Sequence, residues 1–254
     1  MADISSFLRT DFKAVDKRDP LHSVKGWLTG DASKVPIVVD DGRPFGILNE
    51  RALMGRHLDL HAHVHQFALA TRALTPDSTP EQARARMAEL RAAYLPVEDK
   101  RGKLLGYVRA IDLARDELVG ERARALAVPV TLLREDQTMG EALNAFAKEY
   151  VEFLPVVGRD GRIGGVLSRA KVLEMEFNNG DKGRRDAGGE KFHMLDDPIA
   201  GFMDQAPSFV APEADTKTLL DTLEDAGYAI VERDQGDPAV GLVTPETLFR
   251  AGGR

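Results

Sequence analysis

The sequence has no cysteine among its 254 residues. Disulfides, thiolate metal sites and cysteine nucleophiles are therefore excluded, and a reducing compartment such as the cytoplasm is expected. There is a single tryptophan, and no apolar run approaches the roughly 18 residues that a membrane-spanning helix requires. The amino terminus, Met1-Ala2-Asp3-Ile4-Ser5-Ser6-Phe7, has no basic region ahead of an apolar stretch, so no signal peptide is expected. Positive charge is in deficit. The net charge of -7 argues against a general nucleic-acid or anionic-membrane partner. Catalytic motifs are missing as well: there is no Gly-x-Ser-x-Gly elbow and no Gly-x-x-x-x-Gly-Lys phosphate loop. No enzyme is expected.

What is present is repetition. Tyr94-Leu95-Pro96-Val97-Glu98, a polar turn through Gly102, and Leu104-Leu105-Gly106-Tyr107-Val108 read as a β-hairpin, with a helix opening at Ala110. The same device returns as Val35-Pro36-Ile37-Val38-Val39 with Gly46-Ile47-Leu48. It returns again as Phe153-Leu154-Pro155-Val156-Val157 with Gly165-Val166-Leu167, and as Tyr228-Ala229-Ile230-Val231 with Gly241-Leu242-Val243. The glycine of the closing strand falls at 46, 106, 165 and 241, in steps of 60, 59 and 76. The proline of the opening strand falls at 36, 96 and 155, with Ile230 in the fourth place.

Between the hairpins the pattern is helical. Asp19-Pro20 reads as a helix opening, with Val24, Trp27 and Leu28 on one face. Thr79-Pro80-Glu81-Gln82 and Thr138-Met139-Gly140-Glu141 read as capping boxes. Behind them, Ala83, Met87, Leu90 and Tyr94 follow at helical spacing, and Ala142, Phe146 and Tyr150 form the inward stripe of the next helix. A helix is expected from Ala110 to about Leu126, and another opening at Asp215 or Thr216 with Leu219, Leu220 and Leu223 inward. Residues 1–15 read as a lead-in helix or extended arm with Phe7, Leu8 and Phe12 available for docking, and the Gly-rich, charged stretch 178–191 as a surface loop. The unit is strand, helix, strand, strand, helix. At roughly 60 residues it buries too little surface to be stable alone, so the units should pair. The expected domains are 1–122, with repeats at about 12–56 and 66–120, and 123–254, with repeats at about 124–177 and 197–251.

The histidines are concentrated in one connector. His61, His63 and His65 alternate, which on a strand would turn three imidazoles one way, as zinc or nickel ligation needs. No carboxylate or cysteine stands at a matching spacing, and no metal site is expected.

The hydrophobic-Pro-Val strand, Asp/Gly turn, Gly-hydrophobic-hydrophobic strand and polar-capped helix resemble the cystathionine-beta-synthase (CBS) domain over about residues 12 to 250. Paired copies of that domain are called Bateman modules. The resemblance implies an α/β fold of four βαββα repeats paired pseudo-symmetrically into two modules. It implies clefts that take AMP, ADP, ATP or S-adenosylmethionine as a regulatory ligand, with no required cofactor and no catalysis. The motif it rests on is Gly-hydrophobic-hydrophobic-(Ser/Thr)-x-x-Asp, in which the hydroxyl sits at a helix start that favours phosphate and the acid accepts from the ribose. The matching positions are Asn49 and Ala52, Arg109 and Asp112, Ser168 and Lys171, and Thr244 and Thr247. Lys34 and Thr131 resemble positions near phosphate and adenine.

The ligand-contact residues implied are therefore Lys34, Asn49, Arg109, Asp112, Thr131, Ser168, Lys171 and Thr244. Each also has a purely structural reading, as an N-cap, a strand residue or a solvated charge. Two functions stand side by side. One is a sensor of an adenosine-type ligand that acts on a regulated protein partner. The other is an interaction scaffold whose nucleotide sites are degenerate and unoccupied. Whether one chain or a homodimer forms the disc is left open.

Overall fold

The recurring hairpin is present in the computed structural model, which describes residues 3–30, 34–54, 59–180, 194–232 and 240–249. In the first repeat, β1 (Phe12–Asp16) runs parallel to β2 (Val35–Asp40), which turns back antiparallel into β3 (Arg43–Leu48). Asp40 pairs with Arg43, so the turn is Asp41-Gly42, with φ of 48° and 80°. Two positive φ values make a turn whose twist matches the strands, and Asp-Gly is the pair that tolerates it. Between β1 and β2 the α-helix is short and opens later than Asp19-Pro20 suggested: a 3-10 turn (Leu21–Val24) precedes α1 (Lys25–Leu28). Asp19 does not cap it, because its carboxylate accepts from the Asp16 backbone N–H instead. A 3-10 turn (Glu50–Leu53) closes the repeat, and β4 (Ala68–Ala70) leads into the next.

The second repeat contains α2 (Pro80–Leu90), the hairpin of β5 (Tyr94–Glu98) and β6 (Leu104–Arg109), and α3 (Ala110–Glu117). The third follows α4 (Ala123–Leu126) and β7 (Val128–Pro129), with β8 (Leu133–Arg134), α5 (Met139–Lys148), β9 (Phe153–Val157), β10 (Ile163–Ser168) and α6 (Arg169–Gly180). The fourth has β11 (Phe209–Val210), α7 (Thr216–Ala226), β12 (Ala229–Glu232), β13 (Val240–Val243) and a 3-10 turn, Pro245–Thr247. Both capping boxes form: Thr79 accepts from Gln82 N–H at 3.3 Å while Gln82 accepts from Thr79 N–H at 3.0 Å, and Thr138 with Glu141 repeats this at 3.2 and 2.8 Å. Asp215 caps α7, accepting from Thr218 N–H at 2.8 Å. The stretch expected as a loop at 178–191 lies, from residue 181 on, outside the described residues.

Two further expectations are corrected. The helix from Ala110 ends at Glu117, with Gly120 at φ 91°, before α4 resumes. The reason is tertiary: Thr216 of the fourth repeat takes the Leu118 and Glu121 carbonyls, and Ala123 and Arg124 donate to Ala214 and Pro212 at 3.0 Å each. Tyr150 leaves the inward stripe because Glu149 is extended (φ -89°, ψ 155°) and stops α5.

The repeats complete one another's sheets. β4, which precedes the second repeat, pairs with β3 of the first, and Arg9, ahead of β1, bridges Tyr107 in β6 of the second. Likewise β7 pairs with β13 of the fourth repeat, and Asp204 bridges Val166 in β10 of the third. This reciprocal exchange joins one with two and three with four. It also explains the repeated glycine. A Cβ on Gly46, Gly106, Gly165 or Gly241 would lie closer than 3.0 Å to Leu69, Arg9, Asp204 or Ala127, the residues of the incoming segment. The cores run the other way. One buried cluster is built mainly from the first and third repeats, with Val38, Leu53, Phe146, Leu154 and Phe177; the other mainly from the second and fourth, with Met87, Leu95, Leu113, Leu219 and Val243.

Candidate functional site

Strand ends deliver charge to one place. β3 finishes at Leu48, and the turn after it starts with Glu50. β10 passes directly into α6, whose first residue is Arg169, and the turn after β13 carries Glu246. Glu152 sits in the connection between α5 and β9. With Tyr94, the first residue of β5, these side chains line a cavity of about 290 Å³ where all four repeats meet.

Arg169 is its pivot, at only 5% exposure. Its Nη1 lies 3.8 Å from Glu50 Oε2, its Nη2 donates to the Val151 carbonyl, and its backbone N–H donates to Glu152 O at 2.7 Å. Its Nε is buried with no hydrogen-bond partner, as are Glu246 Oε2 and Thr244 Oγ1. Burial pushes the Glu50 carboxyl up to about 7, against the pull of Arg169 and with help from Glu246. Burial pushes Glu152 well above the usual carboxylate range, and the nearby Glu246 and Glu50 push it further. The wall is aromatic. Tyr94 meets Trp27 edge-on at 6.4 Å between ring centroids, and its hydroxyl donates to Pro36 O at 3.2 Å. Tyr150, 43% exposed, is held between two guanidiniums of the first two repeats, with Arg51 Cζ 3.9 Å and Arg91 Cζ 3.7 Å from its ring centroid. Arg51 also donates to Ala147 O at 2.9 Å.

A second polar cluster lies at the packing of α3 on α7. Arg9 grips Asp112 with two hydrogen bonds (2.7 and 2.9 Å), and Arg109 does the same (3.0 and 2.8 Å). Arg109 also reaches Glu224 at 2.8 Å. Burial raises the Asp112 carboxyl, but the hydrogen bonds and charges of Arg109 and Arg9 outweigh it and hold it at about 2. Both oxygens are satisfied, so a ribose could reach them only by displacing an arginine.

Of the residues implied by sequence, Asn49 lines the junction cavity, and its side chain makes no capping bond. Thr244 is fully buried beside it, two residues before Glu246. Arg109 and Asp112 are together, as described. Ser168 accepts from Lys171 N–H at 3.1 Å and so caps α6, while Lys171 Nζ pairs with Glu174 at 2.8 Å. Thr131 donates to Glu149 at 2.6 Å, and Lys34 is exposed just before β2. The connector histidines make no metal cluster among the described residues. His63 and His65 Nδ1 face the Arg18 and Lys17 carbonyls at 2.5 and 3.1 Å.

Sequence reasoning missed Glu50, Glu152, Arg169 and Glu246. A signal was available for two of them: Glu50 and Arg169 each directly follow the capping position of their repeat, so a charge recurs where the strand enters the junction.

A family model of the CBS domain matches residues 72–118 and 124–177. Among solved structures, the chain resembles a protein of Methanocaldococcus jannaschii proposed as an archaeal homolog of g-AMPK. The TM-score is 0.77 at 11% identity, over 98% of this chain and 99% of that one. It also resembles an uncharacterized conserved protein of Pyrococcus horikoshii, with a TM-score of 0.64 at 16% identity over 98% of each chain. No curated protein matches the sequence. The full-length likeness is one of fold.

Proposed function

This chain is a CBS-domain protein whose α/β repeats pair into two modules, and on that premise we propose that it is a non-catalytic sensor of an adenosine-type ligand. AMP, ADP, ATP and S-adenosylmethionine are the candidates, in a cytoplasmic protein with modules at 1–122 and 123–254. The observation that carries the reading is the junction cavity. All four repeats contribute to it, aromatic rings wall it, and a guanidinium with an unused donor is buried in it. A ligand seated there touches both modules at once. If it prefers one arrangement of the modules, it shifts their equilibrium and so the surface offered to a protein partner. Asn49 and the backbone after it, Ser168 and Thr244 are proposed to approach the ligand there; Lys34, Arg109, Asp112, Thr131 and Lys171 are proposed as contacts outside that cavity.

The test is thermal unfolding with each nucleotide and with S-adenosylmethionine. Binding to the native state alone raises the melting temperature progressively with concentration. No shift with any of them at millimolar concentration leaves the second reading, an interaction scaffold. One observation favours that reading: Asp112 is already saturated by Arg9 and Arg109.

A further inference from the structure

The three carboxyls at the junction are divided between the modules: Glu50 comes from the first repeat, Glu152 from the third and Glu246 from the fourth. They share one buried cation. Arg169 Nη1 stands 3.8 Å from Glu50, too far for a hydrogen bond. The rest of that guanidinium gives Glu50 no more, since Nη2 goes to the Val151 carbonyl and Nε has no partner. Asp112 shows what full pairing looks like at the same side-chain exposure of 13%: four hydrogen bonds from two arginines. Glu246 Oε2 is buried with no hydrogen bond at all.

The other charged or titratable groups facing the cavity do not make up the deficit. Arg51 and Arg91 are stacked on the Tyr150 ring, and Glu89 is exposed, 3.6 Å from Arg86. Burial holds the Tyr94 hydroxyl well above its ordinary range, so it stays neutral. Three carboxyls around one loosely placed guanidinium cannot all ionise in a poorly solvated space without uncompensated charge. The upward push on Glu50, to about 7, and on Glu152 agrees with that geometry.

We propose that the junction is a proton-responsive joint between the two modules. With Glu50 protonated, the modules close on the cavity. When Glu50 loses its proton, its charge faces the Glu152 and Glu246 carboxyls across the module boundary, water enters, and the joint loosens. The closed state holds this proton more tightly than a solvated carboxyl does, so acid favours closure and rising pH opposes it. The effector is the proton itself. The device goes beyond the adenosine reading and stands whether or not such a ligand binds.

Trp27 is the only tryptophan, and it lines the cavity edge-on to Tyr94, so its fluorescence reports on the joint. Acrylamide quenching of the full chain is measured between about pH 5.5 and 8.5 at fixed ionic strength. The quenching constant is expected to rise about twofold in one step as the closed population gives way. The step should centre near 7. In Glu50→Gln the constant should keep its acid value throughout. A flat profile for the unmodified protein overturns the proposal. A step that survives in Glu50→Gln overturns it too, since another group, such as His22, would then be its source. Hydrogen exchange of the unmodified protein, corrected for its intrinsic pH dependence, decides the matter even if the variant does not fold. Protection at 48–53 and 150–153 is expected to fall across the step while protection in β6 holds; a uniform change, or none, overturns the proposal.

Discussion

Asp112 and Glu50 are both carboxyls at the start of a helical turn, and their surroundings drive them in opposite directions. Two bidentate arginines hold Asp112 at about 2, below its ordinary 3.8. A depressed carboxylate contributes stability that is fully present above its unfolded value and is lost as pH falls through the folded one. The acid limb between about pH 4 and 2 should therefore flatten in Asp112→Asn. The variant should also lose about 1–2 kcal/mol at neutral pH, a figure kept low because Arg9 is partly solvated; acid titration of unfolding checks it. Glu50, raised to about 7, works in reverse. Its protonated form is the one the fold prefers, so stability is greatest below about pH 4.5, declines as pH rises toward 7, and levels off beyond. Glu50→Gln should remove that decline and gain about 1–3 kcal/mol near pH 8, read from denaturant midpoints across the range.

At the scale of elements, the exchanged edges decide which substitutions are tolerated. Gly106→Ala puts a methyl group against the Arg9 backbone, which cannot swing aside as a side chain could. A loss of about 1–3 kcal/mol is expected, with faster amide exchange at Arg9 and Tyr107, whose mutual hydrogen bonds are 2.8 and 3.0 Å. The hairpins, the Asp41-Gly42 turn and both capping boxes were legible in the sequence because each is fixed by residues within a few positions of one another. The end of α3 was not, since Thr216, which takes the Leu118 and Glu121 carbonyls just beyond it, is about a hundred residues away. Tyr150 misled for a related reason. Helical spacing continues through it, and only the extended backbone of Glu149 shows that the helix has stopped. Of the junction carboxyls only Glu50 left a trace, its place after a capping position: Glu50, Glu152 and Glu246 acquire a common chemistry only when three repeats converge. The glycine period was visible, but its cause, a partner segment crossing at each site, was not.

In the whole molecule, two kinds of bonding run at right angles. Hydrogen-bonded edges link one with two and three with four, whereas the apolar clusters mainly link one with three and two with four. No repeat can melt without exposing the core of a repeat in the other module. Heating should therefore give one transition, with calorimetric and van't Hoff enthalpies equal within error; two resolved transitions would contradict it. Tyr150→Ala removes a ring gripped by Arg51 and Arg91 of the opposite module and should lower that single midpoint.

The crossed weave has a practical corollary. Severed near residue 122, each half would keep its strand pairing yet present two torn oily faces to water. Neither fragment should persist well by itself. Made together in one cell, they should clasp and restore the parent, which would turn this chain into a two-part reporter whose reunion a bound guest could strengthen.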